Sequence, residues 1–138
     1  MMEEGIKART RGPFGGAHID IRVDRDINDS SASPSVEVFR INAEECISMS
    51  LDVWTETDDL DVALKRLVGY DTNDLEIWQI ETAEATITAA VDPAAVNAAT
   101  EVINLISGNI RSGVYAVFAK RTLDPNDGTL HVFGHAKG

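Results

Sequence analysis

The stretch 57–69, TDDLDVALKRLVG, decides how the chain reads. Asp58, Asp59 and Asp61 open it, Lys65 and Arg66 close it and Gly69 follows, the charge order and terminal glycine that a helix dipole and a C-cap favour. Leu60, Ala63, Leu64 and Leu67 fall on one helical face, and Asp61 and Lys65 stand one turn apart. The pattern predicts a short helix over 59–68.

Toward the N-terminus the period changes from helical to alternating. CISMSLDVW (46–54) places Ile47, Met49, Leu51 and Val53 on one face, and SVEVFRI (35–41) is a second strand joined to it by NAEE, so the pair reads as a hairpin. AHIDIRVD (17–24) alternates strictly, with Ile19, Ile21 and Val23 opposite His18, Asp20, Arg22 and Asp24. Between them RDINDSSASPS gathers turn formers and reads as a loop over 25–34. Residues 1–16 hold four glycines and a proline without periodicity and read as an extended arm, reaching on the order of 50 Å, ahead of one domain over 17–138.

Toward the C-terminus, GYDTND is turn-like, and LEIWQI (75–80) and ATITAAV (85–91) read as strand, interrupted or bulged near 81–84. Asp92 and Pro93 supply an N-cap and first-turn proline, and Gly108 a stop, so a helix is predicted over 93–107, with Glu101 its only charge. VYAVFAK (114–120) and LHVFGHA (130–136) flank a turn-rich connection and read as a long-looped hairpin. The expected architecture is α+β: a strand-rich antiparallel sheet or sandwich of about six to seven strands carrying two helices.

The 138 residues include 23 acidic and 12 basic side chains, a net charge of −11, which meets phosphate backbones as repulsion and argues against a direct nucleic-acid partner. Cys46 has no second cysteine to pair with, and Glu44 and Glu45 beside it disfavour a thiolate, so a buried, inert thiol is expected. No run approaches the length of a membrane span, and 1–12 lacks the apolar segment of a signal peptide; the expectation is a protein made inside the cell, with a virion as one destination.

His131 and His135 stand four apart, about 13 Å along a strand, too far to share a metal. A site of His18 and Asp20 with a C-terminal histidine requires the first and last strands to be neighbours. Asp124 to Gly128 lacks the spacing of a calcium loop, and no phosphate loop, nucleophile elbow or paired-cysteine motif occurs. No cofactor, metal or small-molecule substrate is inferred. The candidate interaction residues are Lys7, Arg9, Arg11 and Phe14 on the arm, with Trp54 and Trp78, because tryptophan and arginine concentrate at binding hot spots.

These features predict a non-enzymatic subunit of a repeating assembly, with a basic arm docking on the acidic body of another copy or a neighbouring subunit. A virus or phage-like particle (tail tube, neck or capsid decoration) is the assembly expected. The alternatives are a small acidic inhibitor or immunity protein that covers a basic partner, and a small enzyme using His18, Asp20 and Arg22 with His131 or His135.

Overall fold

The computed structural model describes residues 6–11, 17–28, 36–56, 59–87, 102–122 and 128–138. They form nine strands: β1 (Ile6–Arg11), β2 (Ala17–Ile27), β3 (Val36–Asn42), β4 (Ser48–Glu56), β5 (Leu60–Tyr70), β6 (Glu76–Ile87), β7 (Ile103–Asn109), β8 (Val114–Arg121) and β9 (Gly128–Lys137). One antiparallel sheet runs β1-β2-β9-β4-β7, the other β3-β8-β5-β6. Apart from the β1–β2 and β5–β6 hairpins, every connection passes from one sheet to the other. Eight strands wound in this way make two interlocked Greek keys, the jelly-roll form of β-sandwich, to which β1 adds a ninth strand at one edge.

The α+β expectation is therefore corrected: no helix occurs among the described residues. Residues 60–70 are strand β5, because Leu60, Val62 and Leu64 all point into the core at period two. Its outward face is covered as well: Ala63 lies opposite Phe118 and is buried, so the segment lost the polar alternation that marks a half-exposed strand. Of the second expected helix, 103–107 belongs to β7, where Leu105 is in the core and Gly108 lies opposite Met49; most of the remainder falls outside the described residues.

Two expected hairpins are also corrected. β3 and β4 lie in different sheets, as do β8 and β9, so NAEE and the 122–127 connection are crossovers between sheets. The apparent loop at 25–34 starts later, since β2 continues to Ile27 and Arg25 donates to the carbonyls of Glu37 and Val38 across the sandwich, at 2.8 and 3.0 Å. The interruption or bulge expected near 81–84 is present as bulges within a continuous β6: the register with β5 slips between Ile80 and Thr82 and again between Thr82 and Ala85, each time with the extra residue on β6. Within the stretch 1–16, Ile6–Arg11 pairs antiparallel with β2.

The core is aliphatic and comes from both inner faces. Ile19, Ile21, Val23, Met49, Leu51, Val53, Leu130 and Val132 meet Val38, Ile41, Leu60, Val62, Leu64, Tyr115 and Val117. Each such side chain contributes roughly 1.5–3 kcal/mol when fully buried. Cys46 is buried in this cluster. The crossover before β4 is held by Ala43 donating to Gly113 and Ile47 donating to Lys137, at 2.9 and 2.7 Å.

Candidate functional site

Alternation turns the polar residues of β2, β9 and β4 to the outer face of the five-stranded sheet. Register pairs Asp24 with His131 and His131 with Trp54; four residues along, Asp20 pairs with His135 and His135 with Ser50. The first and last strands of the sandwich proper are thus neighbours, the condition a joint histidine–aspartate site required.

His131 is the centre of this face and only 9% exposed. Its ring stacks on Trp54 with centroids 4.0 Å apart and planes 19° from parallel. Nδ1 faces the Asp24 carboxylate, which as an acceptor fixes the proton on that nitrogen. Nε2 lies 3.4 Å from the Glu56 carboxylate. One ring thereby ties three strands together, with carboxylates on two sides and an indole on its face.

The hydrogen bond to His131, then that from Arg22, holds the Asp24 carboxyl below the usual range. Asp24 is half exposed and solvent screens the effect, so its contribution to stability is small. Its sign is definite: the contribution is present above the ordinary aspartate value and is lost as pH falls through the lowered one. Carboxyl carbon NMR should show Asp24 titrating below an ordinary aspartate, and His131→Gln should move that midpoint upward.

His18 and His135 form a second, looser group, with ring centroids 6.4 Å apart and His18 2.9 Å from Asp20. Arg22 pairs with Asp24 at 3.1 Å. The structure brings His18, Asp20 and His135 together at one end of the face and Arg22, Asp24 and His131 at the other, not all into one pocket. Among the described residues, no three histidine, cysteine or acidic side chains are arranged to hold a metal ion.

The other candidates scatter. Lys7, Arg9 and Arg11 lie on edge strand β1, Arg9 opposite Ile19 and Arg11 opposite Ala17. Phe14 lies outside the described residues. Trp78 is half-buried on the outer face of the four-stranded sheet, edge-on to Phe118 at 5.2 Å, with the Arg40 guanidinium 5.1 Å from its ring centre. Arg40 is held by Glu37 and Glu76, and Lys65 caps Phe118 at 4.7 Å, so this aromatic ladder is screened by its own cations.

Sequence reasoning missed that Glu56 comes to lie beside His131, and it missed the projecting end of the β5–β6 hairpin. Val68, Tyr70, Leu75 and Ile77 are 47, 60, 63 and 45% exposed there, around a firmly built turn. The Asp71 side chain accepts from Asn73 and Leu75, and the Asp71 backbone donates to Leu75 at 2.9 Å. Apolar residues on both sides of GYDTND were the available signal.

No protein-family model matches the chain, and no curated protein matches it. Among solved structures it is similar to a chain of infectious bursal disease virus, Gx strain, at 13% identity and a TM-score of 0.49 over 96% of this chain and 32% of that one. Hydroxypropylphosphonic acid epoxidase from S. wedmorenis, solved in complex with fosfomycin, aligns at 6% identity and a TM-score of 0.41 over 96% and 57%. Drosophila melanogaster CENP-C bound to CAL1 aligns at 8% identity and a TM-score of 0.36 over 92% and 80%. The chain spans about a third of the viral chain's length and just over half of the epoxidase's. Likeness at these scores assigns no role to this chain. No helix is long and apolar enough to cross a membrane among the described residues.

Proposed function

We propose that the chain is a non-enzymatic structural subunit of a repeating assembly, a component of a virus or phage-like particle. The observation that carries this reading is the jelly roll with a filled interior. Jelly rolls serve as capsid, lectin and cupin modules, and a module that works by enclosing a ligand keeps polar groups and space between its sheets. Here the inward positions of β2, β4, β5, β8 and β9 are almost wholly hydrocarbon, packed on one another. The chemistry-bearing residues lie on the outer face, where His131 is engaged by Asp24 and Trp54 in a strand-clamping role. A fold of this kind offers surfaces and edges, and function then rests on what those surfaces meet.

The net charge of −11 supports a subunit that stands beside nucleic acid without trapping it. Light scattering of the purified chain across protein and salt concentrations tests the reading. The expected result is a defined multimer whose mass depends on salt. A monomer under every condition that forms a tight complex with a single basic protein would replace this reading with that of an inhibitor.

A further inference from the structure

We propose that the apolar tip of the β5–β6 hairpin, with its acidic turn, docks on the basic edge strand β1 of a second copy of this chain. The inference rests on the assembly reading above and specifies the contact that builds it.

The hairpin is a prepared protrusion. Beyond Arg66, β5 leaves its partner β8, and Leu67 to Tyr70 continue paired only with β6. Val68, Tyr70, Leu75 and Ile77 surround the tip, about half exposed or more, and Ile80, 61% exposed, extends the apolar surface along β6. Asp71 fixes the turn through its side chain, so little order remains to be imposed when a partner covers it. β6 is itself an edge of its sheet, twelve residues long, and long exposed edges that carry apolar side chains are normally blunted or covered.

Charge selects the occupant. Glu76, Glu81 and Glu84 along β6 face Arg40, Arg66 and Lys120 of their own sheet, so the acid offered to a partner is that of Asp71 and Asp74 in the turn itself, and the cover must tolerate or prefer it. On a chain of net charge −11, the densest basic run on a described edge is β1, whose six residues include Lys7, Arg9 and Arg11 at alternate positions. Among the described residues β1 ends the order of its own sheet, and no described strand pairs with the other side of its backbone ladder, where an added strand could dock.

Geometry sets the kind of assembly. β2 lies against β3 at one side of the sandwich and β6 against β7 at the other, with β1 extending beyond β2. Hairpin and basic strand therefore occupy opposite edges of the same body. A contact between unlike surfaces on opposite edges repeats head to tail, giving a ring where the rotation closes and a filament where it does not.

Two variants test this. Leu75→Lys with Ile77→Lys spoils the hairpin at exposed positions that leave the core intact, and Lys7→Glu with Arg9→Glu and Arg11→Glu reverses the strand. Each alone should fall from the multimer to the mass of one chain while keeping its circular dichroism. Mixed in equal amounts they should give the mass of two chains, because each retains the surface the other has lost. A wild-type multimer with an unchanged hairpin variant would overturn this contact and leave the assembly reading standing. Single-chain variants that fail to pair on mixing would overturn the head-to-tail match with β1. A wild-type monomer at every salt concentration would overturn both. Should the β1 variant not fold, the hairpin variant mixed with wild type decides: it should cap the multimer and lower its mass, and no such effect would overturn the contact.

Discussion

Gly134→Ala should be the most damaging glycine-to-alanine change among the described residues. Gly134 lies in the middle of β9, opposite Ile21 on one side and Leu51 on the other, with φ at 158°. A Cβ there would overlap the Ser50 carbonyl oxygen and come within 2.9 Å of its carbon, both fixed in the backbone of β4. The neighbour cannot yield without breaking the ladder that joins β9 to β4. Overpacking costs about 1–3 kcal/mol and the strained backbone a similar amount, so the expected loss is roughly 3–5 kcal/mol, a large part of the stability of a domain this size. Urea denaturation should show a large drop in midpoint. Gly69→Ala is the matched control: nothing lies within 4 Å of the added carbon, and the change should be within about 0.5 kcal/mol.

Lys120→Met should cost nearly as much, for an electrostatic reason. Lys120 on β8 and Asp61 on β5 are direct cross-strand partners 2.9 Å apart, with side chains 13 and 10% exposed. Burial pushes the Asp61 carboxyl up, but hydrogen bonds from Thr86 and Lys120, with the lysine charge, outweigh it and hold the group below its usual range. Removing the lysine takes away the charge that offsets burial and leaves a 10% exposed carboxylate with the Thr86 hydroxyl still donating to it. Breaking such a pair costs roughly 3–5 kcal/mol, whereas replacing both partners with apolar groups is often neutral. Lys120→Met with Asp61→Leu should therefore recover most of the loss. In the wild type, Asp61 contributes stability above the ordinary aspartate pKa and loses it as pH falls through the lowered value. In Lys120→Met the lysine's share of that lowering is gone, so the carboxyl titrates higher than in the wild type, and the gap between variant and wild type should narrow as pH falls.

How much of this was legible depends on which faces of a strand water reaches. AHIDIRVD alternates because β2 has one wet face, and Ile19, Ile21 and Val23 are in the core as their period required. The same holds for Met49, Leu51 and Val53 on β4. β5 defeats the rule because Phe118 and Trp78 roof its outer side, and its buried Ala63, together with terminal charges that cap a helix equally well, imitated a helical stripe. Asp61 and Lys65, read as partners one helical turn apart, are instead bound to Lys120 and poised over Phe118. Pairing between distant strands of one sheet was illegible for a different reason. It joins residues about a hundred positions apart, such as Asp24 with His131, and no local spacing encodes that. The histidines could be listed but not placed, and the exposed hairpin tip stayed hidden while Val68 was assigned to the end of a helix.

The position of β9 has a consequence in time. It lies between β2 and β4 and donates or accepts along both, yet it is the ninth strand in chain order. Until its ten residues leave the ribosome, β2 and β4 have no shared neighbour and the sheet is a slot with two raw borders. The five-stranded sheet must wait for β9, so it closes late and slowly as non-local β topologies do, and a polypeptide that has not yet delivered β9 passes through a sticky interval in which chaperones are its natural guardians.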